Sequence, residues 1–342
     1  MRKFLIAVVL FLGVVFLITN AAQMEAVVET LQRGDWRFLV LALLVQGFWL
    51  VNVAASYRAI YRALGIFERL ERLLLIAAAA SFVNVVTPSG VVGGVTLFAA
   101  QARRQGYSAI RVTLAGVLNL LFEYAAILCV VAVGLVVLFR RNDLTGAELF
   151  ATGILVLLAG ILATLLILGM KSENALNNAL TKGARAINRI SQTVIHRDYV
   201  SEQRAHEFAH DAAGGLRELR EDFRHDPSTL AWPFALALSN RALLLTVFFL
   251  MFLAFGTPYS PGTLIAGFAI GYLFLIVSPT PAGIGVVEGM MTVTLRSLGV
   301  PLGSAAVITL AYRGFTFWLP LLFGMAALRM LERIPAKVPI EI

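Results

Sequence analysis

Asn84-Val-Val-Thr-Pro-Ser-Gly-Val-Val-Gly-Gly94 and Ser278-Pro-Thr-Pro-Ala-Gly-Ile-Gly-Val-Val-Glu-Gly289 are two Pro- and Gly-rich breaks, each inside a stretch otherwise apolar enough to enter a bilayer. Backbone released from a helix at membrane depth must find partners in protein or in a water-lined cavity, because lipid offers none. Broken segments of this kind mark binding sites in transporters. The two breaks also match each other. Placing Pro88 on Pro281, an offset of 193 (from 88 to 281), brings Gly90 onto Gly283, Arg103 onto Arg296, Gly106 onto Gly299 and Phe122 onto Phe315 without a gap. The match reads as an internal duplication in which the turn, the arginine at its exit and the next glycine stay recognisable.

Working outward, composition sets the class. Of 342 residues 59% are hydrophobic and 14% charged, with a mean hydropathy of +0.83, more apolar surface than one soluble core can hide. The chain reads as an all-α, polytopic integral membrane protein. Residues 4 to 20 follow Arg2 and Lys3 and lack a convincing small-residue cleavage site, so they read as a retained first helix rather than a signal peptide. The single cysteine, Cys129, excludes a disulfide framework or thiolate metal cluster and reads as packing. A net charge of +8 would suggest nucleic acid in a soluble protein. Here Lys and Arg sit mostly in short loops beside spans, where membrane orientation and anionic headgroups account for them, so no nucleic-acid partner is expected.

Apolar stretches run from 4 to 20, 36 to 57, 73 to 104 (broken at Pro88), 112 to 139, 147 to 170, 231 to 255, 262 to 298 (broken at Pro279 and Pro281) and 303 to 331. Positive charge in the loops sets orientation: Arg2 and Lys3 inside, an acidic loop with Glu25, Glu29 and Asp35 outside, then Arg58, Arg62, Arg69 and Arg72 inside. Arg103, Arg104 and Arg111 also want to be inside, which requires residues 73 to 104 to enter and leave on one face as a re-entrant helical hairpin. Continuing the count, the second broken segment enters from outside and the last span delivers Arg329, Arg333 and Lys337 to the cytoplasm. The expectation is therefore one domain over 1–342 with about six full spans, two re-entrant hairpins as inverted repeats and both termini at the cytoplasmic face of the cell membrane. The first repeat covers 58–139 and the second 262–331. Were both broken segments to cross fully, the first basic cluster and the long loop would move outside, against the charge bias. Residues 171–230, with Ile187, Ile190, Val194, Phe208, Leu216, Leu219 and Phe223 among many charges, suggest two amphipathic helices on the inner membrane surface. The tail from Ile334 reads as disordered.

Ionisable side chains within the apolar stretches are functional candidates by default, because an unpartnered charge there costs several kcal/mol. They are Glu123, Arg241, Glu288 and Arg313, with Arg103 and Arg296 at the ends of the hairpin arms. Glu123 and Arg313 occupy corresponding spans and serve either as site or as an ion pair joining helices. Arg241, after Asn240 near the start of its span, either contacts a headgroup or snorkels to the interface. Gly90, Gly93 and Gly94, and Gly283 and Gly285, let the chain turn and expose N–H groups at the start of the following arm, a setting that favours a phosphate. Close helix packing would explain the glycines but not the preceding Pro-x-Pro. Glu288, on the first turn of the second arm, would cap that helix or meet a cationic headgroup or proton.

His206-Glu-Phe-Ala-His210 is a literal H-E-x-x-H, the spacing that puts two imidazoles on one helix face beside a carboxylate base. It lies in a charged amphipathic stretch, and the other histidines, His196 and His225, supply no singled-out third ligand. It reads as chance rather than as the zinc site of a hydrolase with His206, Glu207 and His210, so no metal is expected. No P-loop, nucleotide fingerprint or nucleophile elbow is present; no cofactor and no enzymatic activity are expected.

At Pro279-Thr-Pro-Ala-Gly-Ile-Gly-Val-Val-Glu288, taken with Asn84 to Gly94, the chain resembles the lysylphosphatidylglycerol synthase transmembrane-region, or flippase-like, family. The family pattern Pro-x-Pro-Gly-Gly-x-Gly-x-x-Glu is met by Pro279, Pro281, Gly283, Gly285 and Glu288, with Ala282 where the first of two glycines is usual. The resemblance implies a membrane module that moves a lipid between leaflets, with anionic phospholipid or glycolipid as partner and a possible separate lipid-modifying enzyme. The soluble aminoacyltransferase domain of the bifunctional members is not expected. The candidate translocation residues are thus Asn84, Pro88, Gly90, Gly93, Gly94, Arg103, Glu123, Arg241, Pro279, Pro281, Gly283, Gly285, Glu288, Arg296 and Arg313. A secondary transporter of a small anionic solute would use the same hairpins and is the alternative.

Overall fold

The structure is a computed structural model and describes residues 21–86, 91–182, 228–278 and 280–333, with 185, 212, 214, 216 and 226. Among these every regular element is helical: α1 (Ala21–Gln32), α2 (Trp36–Ala63), α3 (Leu70–Val86), α4 (Val91–Arg103), α5 (Ala109–Arg140), α6 (Gly146–Lys171), α7 (Ser228–Ala254), α8 (Pro261–Val277), a 3-10 turn (Pro281–Gly283), α9 (Val286–Ser297), α10 (Leu302–Arg313), a π-helical segment (Gly314–Trp318) and α11 (Leu319–Arg333). A further helical stretch covers 173–182.

The helix starts are written locally. Asp35 accepts the Arg37 N–H at 2.9 Å to open α2, Ser260 accepts the Thr263 N–H at 3.1 Å ahead of Pro261 to open α8, and Glu148 reaches back to the Thr145 N–H at 2.8 Å to open α6. Four of these helices, α2, α5, α6 and α7, and the continuous run Leu302–Leu331 are long and apolar enough to cross a membrane. The expected span 4 to 20 lies outside the described residues. Leu149, Phe150, Val156, Leu157, Ile161 and Ile167 of α6 are all exposed, Phe150 to 74%. Such a stripe is stable against hydrocarbon and not against water. The exposed Trp36 and Trp232 open α2 and α7. Those helices run antiparallel, since the Asp35 N–H bonds to the Ala254 carbonyl at 2.9 Å, so the two indoles mark opposite faces, as interfacial anchors do.

Both broken segments fold as helical hairpins. In the second, a Cβ on Gly267 would meet Leu295 at 2.8 Å, one on Gly271 would meet Met291 at 2.5 Å, and one on Gly283 would lie 3.2 Å from Leu275. The partners fall as the glycines rise, which is the register of antiparallel arms, and the glycines let those arms close. In the first hairpin the open ends are joined where Tyr107 Oη donates to the Phe67 carbonyl at 2.6 Å, and Arg111 at the start of α5 lies beside Gly65. At the far end of α5, Arg141 donates to Ser260 Oγ at 3.0 Å and to the Leu298 carbonyl at 3.4 Å, joining the open ends of the second hairpin. With 32 residues, α5 is about 48 Å long. The two hairpins therefore open toward opposite ends of one membrane-length helix.

The structure departs from the sequence reading in four places. The acidic loop expected at residues 25 to 35 is mostly helix α1, whose Val27 and Thr30 are buried. The last span, read as an apolar stretch from 303 to 331, is interrupted by the π segment directly after Arg313, and a Cβ on its first residue, Gly314, would meet Val27 at 2.8 Å. Cys129, read as packing, is exposed, being on the outward face of α5. In the 171–230 insertion the described Leu176, Ala212 and Leu216 are buried within the protein's own core, Leu216 and Leu176 closing on Gly169; those side chains are not available to a membrane surface.

Candidate functional site at the hairpin tips

The tip of the second hairpin is built from left-handed residues. Ala282, Gly283 and Gly285 have φ of 50°, 72° and 80°, while Thr280 Oγ1 donates to the Ile284 carbonyl at 3.0 Å and the Gly283 N–H returns to the Thr280 carbonyl at 3.0 Å. Glycine adopts this conformation freely, and an alanine pays roughly 1–2 kcal/mol for it. Ala282→Gly is accordingly expected to raise the thermal midpoint of the purified protein, by the equivalent of about 1 kcal/mol. An unchanged or lower midpoint would show that the Ala282 methyl, packed against the core that includes Phe82 and Val83, outweighs the strain.

Glu288 and Arg313 pin this tip. Glu288 Oε2 accepts the Gly285 N–H at 2.8 Å, and its Oε1 accepts Arg313 Nε at 2.7 Å and the Gln23 amide at 3.4 Å. Arg313, 4% exposed, also donates Nη2 to the Ala282 carbonyl at 2.8 Å and lies 4.5 Å from the centre of the Phe317 ring. One guanidinium thus grips the turn at its carbonyl and at its capping carboxylate, and the 3-10 turn packs on α3 of the other hairpin. In that first hairpin Asn84 Oδ1 accepts the Gly94 N–H at 2.7 Å. A Cβ on Gly94 would lie 2.5 Å from the same oxygen, so glycine is what allows the bond.

These bonds correct one expectation. The Gly94 and Gly285 N–H groups, read as free to hold a phosphate, are already held by an amide and a carboxylate of the protein. At the start of α9 the Glu288 carboxylate meets the helix field from within the chain.

A second ionic cluster joins four helices. Arg241 of α7 pairs with Glu123 of α5; Asn240 donates to Glu123 Oε1 at 3.0 Å, and Asn52 of α2 donates to Asn240 Oδ1 at 2.8 Å and to the Leu236 carbonyl at 2.9 Å. The Arg241 guanidinium lies 4.7 Å from the centre of the Tyr272 ring on α8. Arg241 therefore does not snorkel: a carboxylate and a ring face compensate it in place. Glu123 and Arg313, each read as site or as ion pair joining helices, are both in ion pairs, Glu123 with Arg241 and Arg313 with Glu288. The Tyr272 ring packs 4.8 Å from Phe268, and Phe268 packs 6.4 Å from Tyr312, the residue before Arg313, so the clusters are linked through packed rings.

Other candidates fall elsewhere. Arg103 and Arg296 are exposed on the last turns of α4 and α9, at the open ends of the hairpins and away from the tips. Gly93 is buried in α4, and Pro281 starts the 3-10 turn. Pro88, Gly90 and Pro279 lie outside the described residues, as do His206, Glu207 and His210. Among the described residues no three His, Cys, Asp or Glu side chains form a metal-binding group.

Two cavities flank this framework, and their described lining residues do not include the described residues of the hairpin tips. One of 280 Å³ is apolar, between α2, α3 and α11, and its wall holds the buried amide of Gln46, for which the described residues supply no hydrogen-bond partner. The other, of 620 Å³, lies between the end of α2 and the start of α7 and presents Arg58 and Arg62. Asn52, Tyr272, Gln46, Arg58 and Arg62 were not distinguishable as site residues in the sequence. Asn52 and Gln46 carried one available signal, an amide inside a span.

Antiparallel helical hairpins opening toward opposite ends of a bundle with lipid-facing helices define a polytopic helical membrane protein of the broken-segment type. More specifically, the sequence profile of the lysylphosphatidylglycerol synthase transmembrane region matches residues 4–324, and the chain belongs to that family. It is similar to a UPF0104 membrane protein of Pyrococcus horikoshii, with 24% identity over 95% of this chain and 96% of the relative. It is also similar to a UPF0104 membrane protein of Methanothermobacter thermautotrophicus, with 21% identity over 94% of each.

Proposed function

We propose that the protein is a lipid translocase that moves a phospholipid or glycolipid headgroup between leaflets. The observation that carries this reading is the second hairpin tip, packed on the first hairpin and held by a buried Glu288–Arg313 pair. A buried ion pair is costly to build and strongly destabilising to break, and in a membrane interior it points to a path for charged groups. Membership of a family named for a lipid-modifying enzyme's membrane region supports lipid over solute. The basic residues Arg58, Arg62, Arg69, Arg72, Arg103, Arg104 and Arg111 gather where the first hairpin opens, and Arg104 reaches the Leu331 carbonyl at 3.3 Å, which brings the end of α11 to the same face. That face is assigned to the cytoplasm of a cell membrane.

The test is reconstitution into vesicles carrying phospholipid labelled on the headgroup, with a membrane-impermeant quencher reading leaflet exchange. Exchange faster than in protein-free vesicles is expected. No exchange, together with counterflow of a small anion, would replace this reading with the solute transporter.

A further inference from the structure

With the Gly94 and Gly285 N–H groups occupied, a phosphate needs another anchor, and the 620 Å³ cavity supplies one. Its wall is formed by Arg58 and Arg62 of α2 with Ala55, and by Ser228, Thr229 and Trp232 at the start of α7, with Asp226 just ahead. Arg58 and Arg62 are four residues apart on one helix face, where like charges repel unless an anion lies between them. Neither is paired with a carboxylate among the described residues, and the Nε of Arg58 is buried without a hydrogen-bond partner. The only carboxylate in the described wall is Asp226. Its two oxygens accept the Ser228 N–H at 2.9 Å and the Ser228 hydroxyl at 2.8 Å, bonds that hold its carboxyl below the usual range. It caps α7 and forms no ion pair with either arginine, so the wall sets two guanidinium charges against one carboxylate.

The position selects the source of the anion. Trp232, 62% exposed, lies on the cavity wall at the start of a membrane-length helix. Indoles settle there at the level of lipid headgroups. We propose that this cavity binds the phosphate of an anionic phospholipid headgroup through Arg58 and Arg62, on the face where the first hairpin opens. That it loads the lipid for translocation rests on the function proposed above; that it binds the lipid does not.

Binding is measured on the full-length protein in detergent, by Trp fluorescence and by a competition assay, with short-chain phosphatidylglycerol, short-chain diacylglycerol and inorganic phosphate as probes. Phosphatidylglycerol is expected to bind, diacylglycerol to bind far more weakly, and affinity for the former to fall about tenfold or more in Arg62→Gln and further in the Arg58→Gln/Arg62→Gln double variant. Because Arg62 is exposed, its substitution leaves the fold intact. Arg37→Gln, at the other end of α2, is expected to bind like wild type. Unchanged phosphatidylglycerol affinity in the double variant overturns the site. Inorganic phosphate binding as tightly as the lipid, and lost in the double variant, overturns the lipid as occupant. A protein that binds through these arginines but exchanges no lipid in vesicles retains the site and removes the translocase reading instead.

Discussion

Glu288→Ala is expected to abolish lipid exchange in vesicles and to cost about 3–5 kcal/mol of stability, because it leaves the Arg313 guanidinium buried and half-unpaired. Three bonds disappear with that carboxylate: the 2.7 Å contact to Arg313, the 2.8 Å acceptance of the Gly285 N–H and the 3.4 Å acceptance of the Gln23 amide. The turn that Arg313 holds at Ala282 loses its second anchor. Glu288→Gln separates the two roles, since an amide oxygen can still cap Gly285 while the charge is gone. Its thermal midpoint should lie between wild type and Glu288→Ala, with exchange as low as in the latter. Arg313→Lys should behave as a loss variant too, because an ammonium cannot reach the Glu288 oxygen and the Ala282 carbonyl from one rigid fork. Wild-type exchange in a well-folded Glu288→Gln protein would remove this tip from the mechanism.

Much of this arrangement was legible in the sequence because it rests on local chemistry. The two breaks are visible as Pro and Gly, the hairpin from the basic clusters at 58 to 72 and 103 to 111, and the role of Glu288 as a helix cap from its place three residues after Gly285. What could not be read depends on which helices lie side by side. Glu123 and Arg241 are both visible as charges inside spans. Nothing local says that α5 and α7 bring them together, or that Asn52 of α2 completes the chain of bonds through Asn240. The reading of Gly94 and Gly285 as anion donors failed for a related reason. Asn84, ten residues before Gly94, becomes its partner only once the hairpin has closed. Helix α1 was mistaken for loop because its acidic residues dominate the charge count, while Val27 and Leu31 were too few to signal a buried face; they pack beneath Gly314.

The second ionic cluster allows a sharper question, whether a buried pair in this protein joins helices or also serves transport. Glu123→Ala leaves Arg241 with only the Tyr272 ring beneath it and should cost about 3–5 kcal/mol, read as a large drop in thermal midpoint in detergent. Replacing both partners with apolar residues of similar length, Glu123→Leu with Arg241→Met, removes the stranded charge, and stability should recover to within about 1–2 kcal/mol of wild type. The Asn240 amide that bonded Glu123 is the remaining loss. A pair that only joined helices would then leave exchange at the wild-type rate. The Tyr272 ring beneath Arg241 packs on Phe268, and Phe268 on Tyr312, the residue before Arg313, so the two clusters are joined through packed rings, and the restored double variant should exchange lipid at least about tenfold more slowly, the effect of losing roughly 1.4 kcal/mol of stabilisation at the barrier. A stable double variant with undiminished exchange would assign Glu123 and Arg241 to helix joining and leave the path to Glu288, Arg313 and the second hairpin alone.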